Sequence, residues 1–292
     1  SVVKHALKAL DIDDKLIQPR AALSRISQAK NKMESPEQMK NSGWGLRDQQ
    51  IARVYEVYKR TLDDAGALDF DDLLLKTVDL FEGHEFVREK YAQKFRYIMI
   101  DEYQDTNRPQ YMLVKRLAEA HRNLCVVGDP DQSIYTFRGA DSSGIAQFSE
   151  RFTHADGRPA DIIVLGRTRR FGPTIGQAAG RILRSATAIG LPANIVRAHR
   201  NLTYEGPTDG LVEVRTFDTP SSEAAHIATT LRRANLEQGI GWDQMAVLVR
   251  SGRKSIGPLR RALGAAGVPV EVAGDEIPLR DEPALAPLLA AL

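Results

Sequence analysis

Between residues 95 and 165 the chain carries three short apolar, β-prone runs, the first two ending at acidic or glycine-bearing corners. Phe95-Arg96-Tyr97-Ile98-Met99-Ile100 runs into Asp101-Glu102, Leu124-Cys125-Val126-Val127 into Gly128-Asp129, and Ile162-Ile163-Val164-Leu165 is the third. The stretch from Gln110 to Ala120 reads as a helix with Leu113, Leu117 and Ala120 on one side. Apolar runs alternating with helices predict parallel strands joined by right-handed crossovers. Runs apolar on both faces predict a sheet covered by helices on both sides, with Cys125 as a small buried hydrophobe.

A second α/β unit lies beyond a boundary placed near 150–165. Val212, Val214 and Phe217 suggest a strand. Ser221 or Ser222 would cap a helix carrying Ala224, Ile227, Ala228 and Leu231 that stops near Gly239. Met245 to Val249 reads as another buried strand, Leu259, Ala262 and Leu263 as a helix, and Val268 to Val272 as a last strand. Upstream, residues 1–66 read as helical and highly charged. Ile51, Val54, Tyr55 and Tyr58 share one helix face, and the stretch 33–48, holding Pro36, Gly43 and Gly45, reads as a loop.

A length of 292 residues bounds the chain at about two domains. Its 42% hydrophobic and 27% charged residues suit a packed globular protein rather than a disordered one. One cysteine excludes a disulfide framework and a Cys-based zinc cluster. No apolar run approaches about 18 residues, so no membrane span is expected. The six histidines show no metal spacing and read as surface or packing residues. The net charge of +2 does not announce a nucleic-acid binder, but the segment from Gly166 to Arg200 holds seven arginines and no acid. That block is either a solvated basic face or a phosphate-binding surface.

Two segments carry chemistry. An apolar strand delivering Asp101 and Glu102 at its C-terminal end suits a metal-organising carboxylate beside a water-activating one; a solvated acidic strand end is the plain alternative. In 126–141, VVGDPDQSIYTFRGAD, Gln132 offers an amide for a terminal phosphate or an attacking water. Tyr135 and Phe137 offer rings for base stacking and Arg138 a cation for phosphate. A turn with inward-packed aromatics is the alternative there.

Together, DEYQDTN at 101–107 and the 126–141 segment resemble motifs II and III of the UvrD/PcrA/Rep-like superfamily 1A DNA helicases, and LDFDDLL at 68–74 is similar to the family's segment upstream of motif II. The resemblance implies two partial RecA-like, P-loop-NTPase-type parallel-sheet units plus a helical accessory segment. Residues 1–66 would be part of accessory domain 1B, 67–155 the later part of motor domain 1A, and 156–292 the first part of motor domain 2A. It implies ATP and Mg²⁺, with Asp101 organising the metal, Glu102 as catalytic base and Gln132 as γ-phosphate sensor. Tyr135, Phe137 and Arg138 would link the ATP site to single-stranded DNA. Phe137 stands where the family has Trp, which implies weaker stacking. Leu165 to Ile175 aligns with motif IV and makes Arg170 the arginine finger; Thr168 and Arg169 depart from the family's Asn-Tyr, so Arg167 and Arg169 are rivals. The Arg-Arg-Phe-Gly-Pro form of 169–173 is more similar to actinobacterial relatives in helicase–nuclease complexes.

No G-x-x-x-x-G-K-[ST] occurs in the chain; Ser251-Gly252-Arg253-Lys254-Ser255 reads as a loop after a strand. The resemblance therefore implies a chain cut at both ends, from an ATP-dependent 3′–5′ helicase acting on single-stranded DNA and on junctions of single and double strands. It also implies a bacterial, cytoplasmic, nucleoid-associated setting, with repair or nuclease proteins as further partners. On its own the chain would hydrolyse almost no ATP. The alternatives are a RecB/AddA-type helicase–nuclease motor and a non-catalytic DNA-binding or regulatory fragment.

Overall fold

Capping chemistry written into the sequence sets several helix boundaries in the computed structural model, which describes residues 1–41, 45–136, 139–186 and 190–272. The chain forms two compact units, 1–211 and 212–292. The first opens with four helices, α1 (Val2–Ala9), α2 (Pro19–Asn31), α3 (Pro36–Asn41) and α4 (Leu46–Asp64). They close over a core of Leu7, Ile17, Ile26, Met39, Ile51, Val54 and Tyr55, among others. The 33–48 stretch expected as a loop therefore contains a helix. Ser35 Oγ accepts from Gln38 N at 3.1 Å while Gln38 Oε1 accepts from Ser35 N at 2.8 Å. This reciprocal cap, with Pro36 in the first turn, nucleates α3.

Next come α5 (Phe70–Gly83), α6 (Glu85–Lys94), β1 (Ile98–Ile100), α7 (Arg108–Ala118) and β2 (Leu124–Val126). Strands β1 and β2 pair in parallel, Met99 opposite Cys125, with α7 as the crossover. Asn107 and Gln110 form a second capping box that starts α7. The expectation of a sheet covered on both faces fails at this pair: Met99 is 79% exposed and Cys125 is exposed, not buried. Only the face carrying Ile98, Ile100, Leu124 and Val126 is partly covered.

A buried cation bolts the helical N-terminal region to α5. Lys30 of α2, 2% exposed, places Nζ 2.7 Å from both Asp69 and Asp72, which themselves form the capping box of α5. Tyr58 OH donates to the same Asp69 at 2.9 Å. Burial opposes ionisation of Asp69, but the Lys30 and Tyr58 bonds outweigh it and hold its carboxyl below the usual range. Asp71 accepts from Asn31 Nδ2 at 3.3 Å, but burial outweighs its hydrogen bonds and the nearby Lys30 charge and pushes its carboxyl up.

The first unit ends with α8 (Ser143–Arg151), β3 (Arg167–Thr168), α9 (Pro173–Leu183), α10 (Ala193–Arg200) and β4 (Thr203–Tyr204), β3 and β4 pairing in parallel. Gly172 and Gly206 let this β3–α9 corner close. A Cβ on Gly172 would collide with the Thr208 carbonyl, and one on Gly206 with the Phe171 backbone. The second unit is built on α11 (Pro220–Gln238) and α12 (Gly252–Ala265), which enclose Ala228, Leu263 and Val268 with Trp242 against them. Thr219, not Ser221 or Ser222, caps α11, because Pro220 takes the first helical position; Gly239 at φ +67° ends it as expected. Gly252 to Ser255 open α12 rather than forming a loop.

Four expected strands do not form among the described residues. Segments 162–165, 212–217, 245–249 and 268–272 make no ladder. Val214 is 89% and Leu248 94% exposed, so the runs at 212–217 and 245–249 do not bury these side chains either. Apolarity and β-branching encode readiness to pair; a ladder also needs a neighbouring strand to take each N–H and C=O. The last twenty residues, 273–292, lie outside the described residues.

Candidate active site

The ends of β1 and β2 carry the acidic corners that the sequence singles out. Asp101 and Glu102 are both exposed. Asp101 Oδ1 accepts from the Glu102 amide at 2.9 Å. Glu102 sits at φ 53°, ψ 39°, in the left-handed region that a non-glycine residue rarely occupies. That conformation turns the chain sharply off the strand into a 3-10 turn over Tyr103–Asp105. Tyr103 and Gln104 go inward, and Tyr103 packs edge-on against Phe148 of α8.

Gln104 is fully buried and joins the two strand ends. Its Nε2 donates to Glu102 Oε2 at 2.6 Å, and its Oε1 accepts from Asp129 N at 3.0 Å. Asp129 then caps a second 3-10 turn, Pro130–Gln132, by accepting from Asp131 N at 2.9 Å. Its other oxygen accepts from Gln132 Nε2 at 2.7 Å. An unbroken hydrogen-bonded path thus runs Glu102, Gln104, Asp129, Gln132. Gly128 makes room for it: a Cβ there would lie 2.7 Å from Gln104 Oε1 and 2.8 Å from Ile145. Asp105 stitches the same two segments again by accepting from the amides of Ile134 and Tyr135.

Helix α10 reaches this loop from the other side. His199 Nε2 lies 3.0 Å from Asp129 Oδ1, and Arg200 grips Asp131 through Nε at 2.9 Å and Nη2 at 2.6 Å. Burial alone would raise the Asp129 carboxyl. Hydrogen bonds from His199, Gln132 and the Asp131 amide reverse this and hold it down to about 2. The His199 imidazole is correspondingly pushed up by its bond to Asp129, against an opposing effect of burial. The expectation that His199 serves only as a surface or packing residue is corrected by this contact. Asp129, Asp131 and His199 also lie close enough together to ligate a cation. Arg200 already supplies the positive charge at Asp131.

The three candidate finger arginines differ. Arg167 and Arg169 both pair with Glu205, at 3.0 Å and 3.5 Å. Arg170 is exposed, and no carboxylate among the described residues lies within ion-pair distance of it. No contact joins its side chain to Glu102 or Gln132, so the structure brings 101, 102 and 132 together but not 170. Tyr135 lines a small cavity of about 180 Å³ with Asp105, Asn107, Gln110 and Ala140. Phe137 and Arg138 lie outside the described residues.

Gln104, Asp129, His199 and Arg200 escaped sequence reasoning as site residues. Gln104 and Asp129 stand inside the two motif segments, where their polarity beside a strand end was the available signal. No local pattern connects His199 or Arg200 to residues some seventy positions earlier.

Known proteins resemble the chain in the same regions. Residues 1–153 match the family model of the UvrD/REP helicase N-terminal domain. The ATP-dependent DNA helicase PcrA of Bacillus subtilis is 38% identical over 255 residues, covering 87% of this chain and 33% of that protein. The PcrA proteins of Staphylococcus epidermidis and Staphylococcus aureus are each 36% identical over the same coverage. The chain spans about a third of the length of the curated relatives it matches.

Proposed function

The chain belongs to the UvrD/Rep helicase family, and from that premise we propose that it forms part of the motor of an ATP-dependent DNA helicase that moves 3′–5′ on single-stranded DNA. The observation that carries the reading is the path from Glu102 through Gln104 and Asp129 to Gln132. The path supports the reading because it ties the carboxylate proposed to activate water to the amide proposed to touch a terminal phosphate, on adjacent strand ends. Residues 1–66, 67–155 and 156–292 are read as parts of domains 1B, 1A and 2A.

In this reading Glu102 orients and deprotonates the attacking water. Gln132, aligned by Asp129, holds the γ-phosphoryl oxygen side. Arg170 is the favoured arginine finger because its two rivals share the carboxylate of Glu205 while it has no carboxylate partner among the described residues. Mg²⁺ would be held by Asp101: one carboxylate oxygen accepts from the Glu102 amide, leaving the exposed carboxylate able to meet a hydrated cation. Bound there, the ion would neutralise charge on the β- and γ-phosphates. Tyr135, Phe137 and Arg138 connect this site to single-stranded DNA and to junctions of single and double strands. The work is done in the bacterial cytoplasm at the nucleoid, together with repair or nuclease proteins. No helix among the described residues is long and apolar enough to cross a membrane.

The test is strand separation by the protein that carries this chain, using duplexes with a 3′ or a 5′ single-stranded tail. ATP-dependent unwinding confined to the 3′-tailed duplex is the expected result. Unwinding from the 5′ tail, or ATP turnover indifferent to single-stranded DNA, would overturn the reading.

A further inference from the structure

We infer that the cleft between α9 and α10 is a binding track for the phosphodiester backbone of a single nucleic-acid strand. The inference rests on the DNA-acting function proposed above and names a contact surface for it. The cleft encloses about 680 Å³. Its rim carries Arg181 and Arg184 from the end of α9 and Arg197 and Arg200 from α10. Among the described residues no acidic side chain lines it, and no acid occurs in the sequence between Gly166 and Arg200.

The four arginines are not equivalent. Arg200 is committed: besides Asp131 it donates to the carbonyls of Leu183 and Ala186, each at 3.0 Å. It thereby ties the end of α9 to α10 and sets the width of the cleft. Arg181, Arg184 and Arg197 are exposed, and among the described residues none has a carboxylate within ion-pair distance. Three unneutralised guanidiniums on one cleft attract an anion.

The arrangement favours a strand over a lone phosphate. Arg181 in the last turn of α9 and Arg184 at its C-terminal cap, still helical in backbone, are three residues apart, as are Arg197 and Arg200 on α10. Arg181 and Arg184 therefore share a helix face, and with Arg200 committed Arg197 is the open cation on α10, so the three open guanidiniums are spread over two helices along the cleft. Besides the arginines and Gln177, the lining is apolar, with Gly176, Gly180, Leu191, Ala193, Val196 and Tyr204. A Cβ on Gly176 would collide with the Tyr204 ring, while nothing lies within 4 Å of a Cβ on Gly180. Tyr204 thus lies on Gly176, and the cleft opens one turn further along, above Gly180. Sugar or base can rest on that apolar lining while phosphates meet the rim.

The test is fluorescence anisotropy with labelled oligothymidylate and the full chain over a series of salt concentrations. The triple variant Arg181→Ala, Arg184→Ala, Arg197→Ala should bind at least about tenfold more weakly. Its log K against log salt slope should be shallower by about 2, at roughly 0.7 per phosphate contact on a single strand. The triple Arg→Lys variant should keep the slope, because it keeps the charges. Removing three arginines elsewhere, Arg53→Ala, Arg60→Ala and Arg232→Ala, should leave it unchanged. Should the alanine triple fail to fold, Arg181→Gln and Arg197→Gln singly should each lower the slope by about 0.7. Strand binding that is indifferent to these arginines would overturn the cleft and leave the DNA-acting reading standing. Competition by pyrophosphate or thymidine monophosphate as strong as by the strand would replace the strand with a free phosphate ester. An unmodified chain that binds no strand at low salt would overturn the cleft and count against the broader reading as well.

Discussion

His199 Nε2 and Asp129 Oδ1 meet at 3.0 Å, joining a helix of the arginine-rich segment to the loop that carries Gln132. Three charged groups face the imidazole: Asp129, Asp131 and Arg200, the first two favouring its protonated form and the last opposing it. Because the folded protein raises the His199 pKa, the stability this adds is fully present below the unfolded value near 6.5 and is lost as pH rises through the folded value. Asp129 behaves oppositely: its contribution is present above its unfolded value and is lost as pH falls toward about 2. The pair is therefore strongest between these limits.

Imidazole NMR titration should place the His199 pKa above the ordinary histidine value near 6.5. Asp129→Asn should bring it down, because the replacement keeps a hydrogen-bonding oxygen but removes the charge. A titration curve unmoved by that substitution would show that the pairing is not what raises it.

Gln104 is the buried joint between the two strand ends. Gln104→Ala leaves the Asp129 amide without its acceptor in a half-buried setting, which should cost about 1 kcal/mol in urea denaturation. Hydrogen exchange of the Asp129 amide should accelerate in the same variant. An unchanged denaturation midpoint would mean that water replaces the side chain without penalty.

Arg200 and Asp131 should show direct coupling. Asp131 is 11% exposed and Arg200 22%, and the contact is bidentate. A double-mutant cycle with Arg200→Ala and Asp131→Ala should give a coupling energy of about 1–3 kcal/mol. Additive single effects would show that the contact contributes little.

Lys30→Met should be the most destabilising of these changes, by about 3–5 kcal/mol at neutral pH, since it strands Asp69 and Asp72 without a counter-charge. The native Asp69 pKa is lowered, so its stabilising contribution exists above about 3.8 and fades as pH falls. The gap between variant and parent should accordingly narrow in acid, as followed by thermal melts at several pH values. A gap independent of pH would point to lost packing instead.

What the sequence discloses here depends on the distance over which each interaction acts. Helices stopped and started by local chemistry were legible: Gly239 ends α11, and the face carrying Ile51, Val54, Tyr55 and Tyr58 is buried. The signal for α3 was also present, as Ser35-Pro36-Glu37-Gln38, but the prolines and glycines around it outweighed it. Strand pairing is non-local, so β1 and β2 formed where expected while the apolar runs at 212–217 and 245–249 found no neighbour among the described residues. The acidic corner and Gln132 were visible as motif residues. The residues that fix them, Gln104 by burial and His199 and Arg200 by approach from a distant helix, show themselves only in three dimensions.

The central claim is that Glu102 activates water beside a phosphate sensed by Gln132. Its most direct test is single-turnover ATP hydrolysis by the protein carrying this chain, comparing the parent with Glu102→Gln in the presence of single-stranded DNA. Nucleotide binding should stay within about threefold of the parent while the hydrolysis rate falls by about 10²–10⁴-fold, as for loss of a general base. Hydrolysis at the parental rate would contradict the claim.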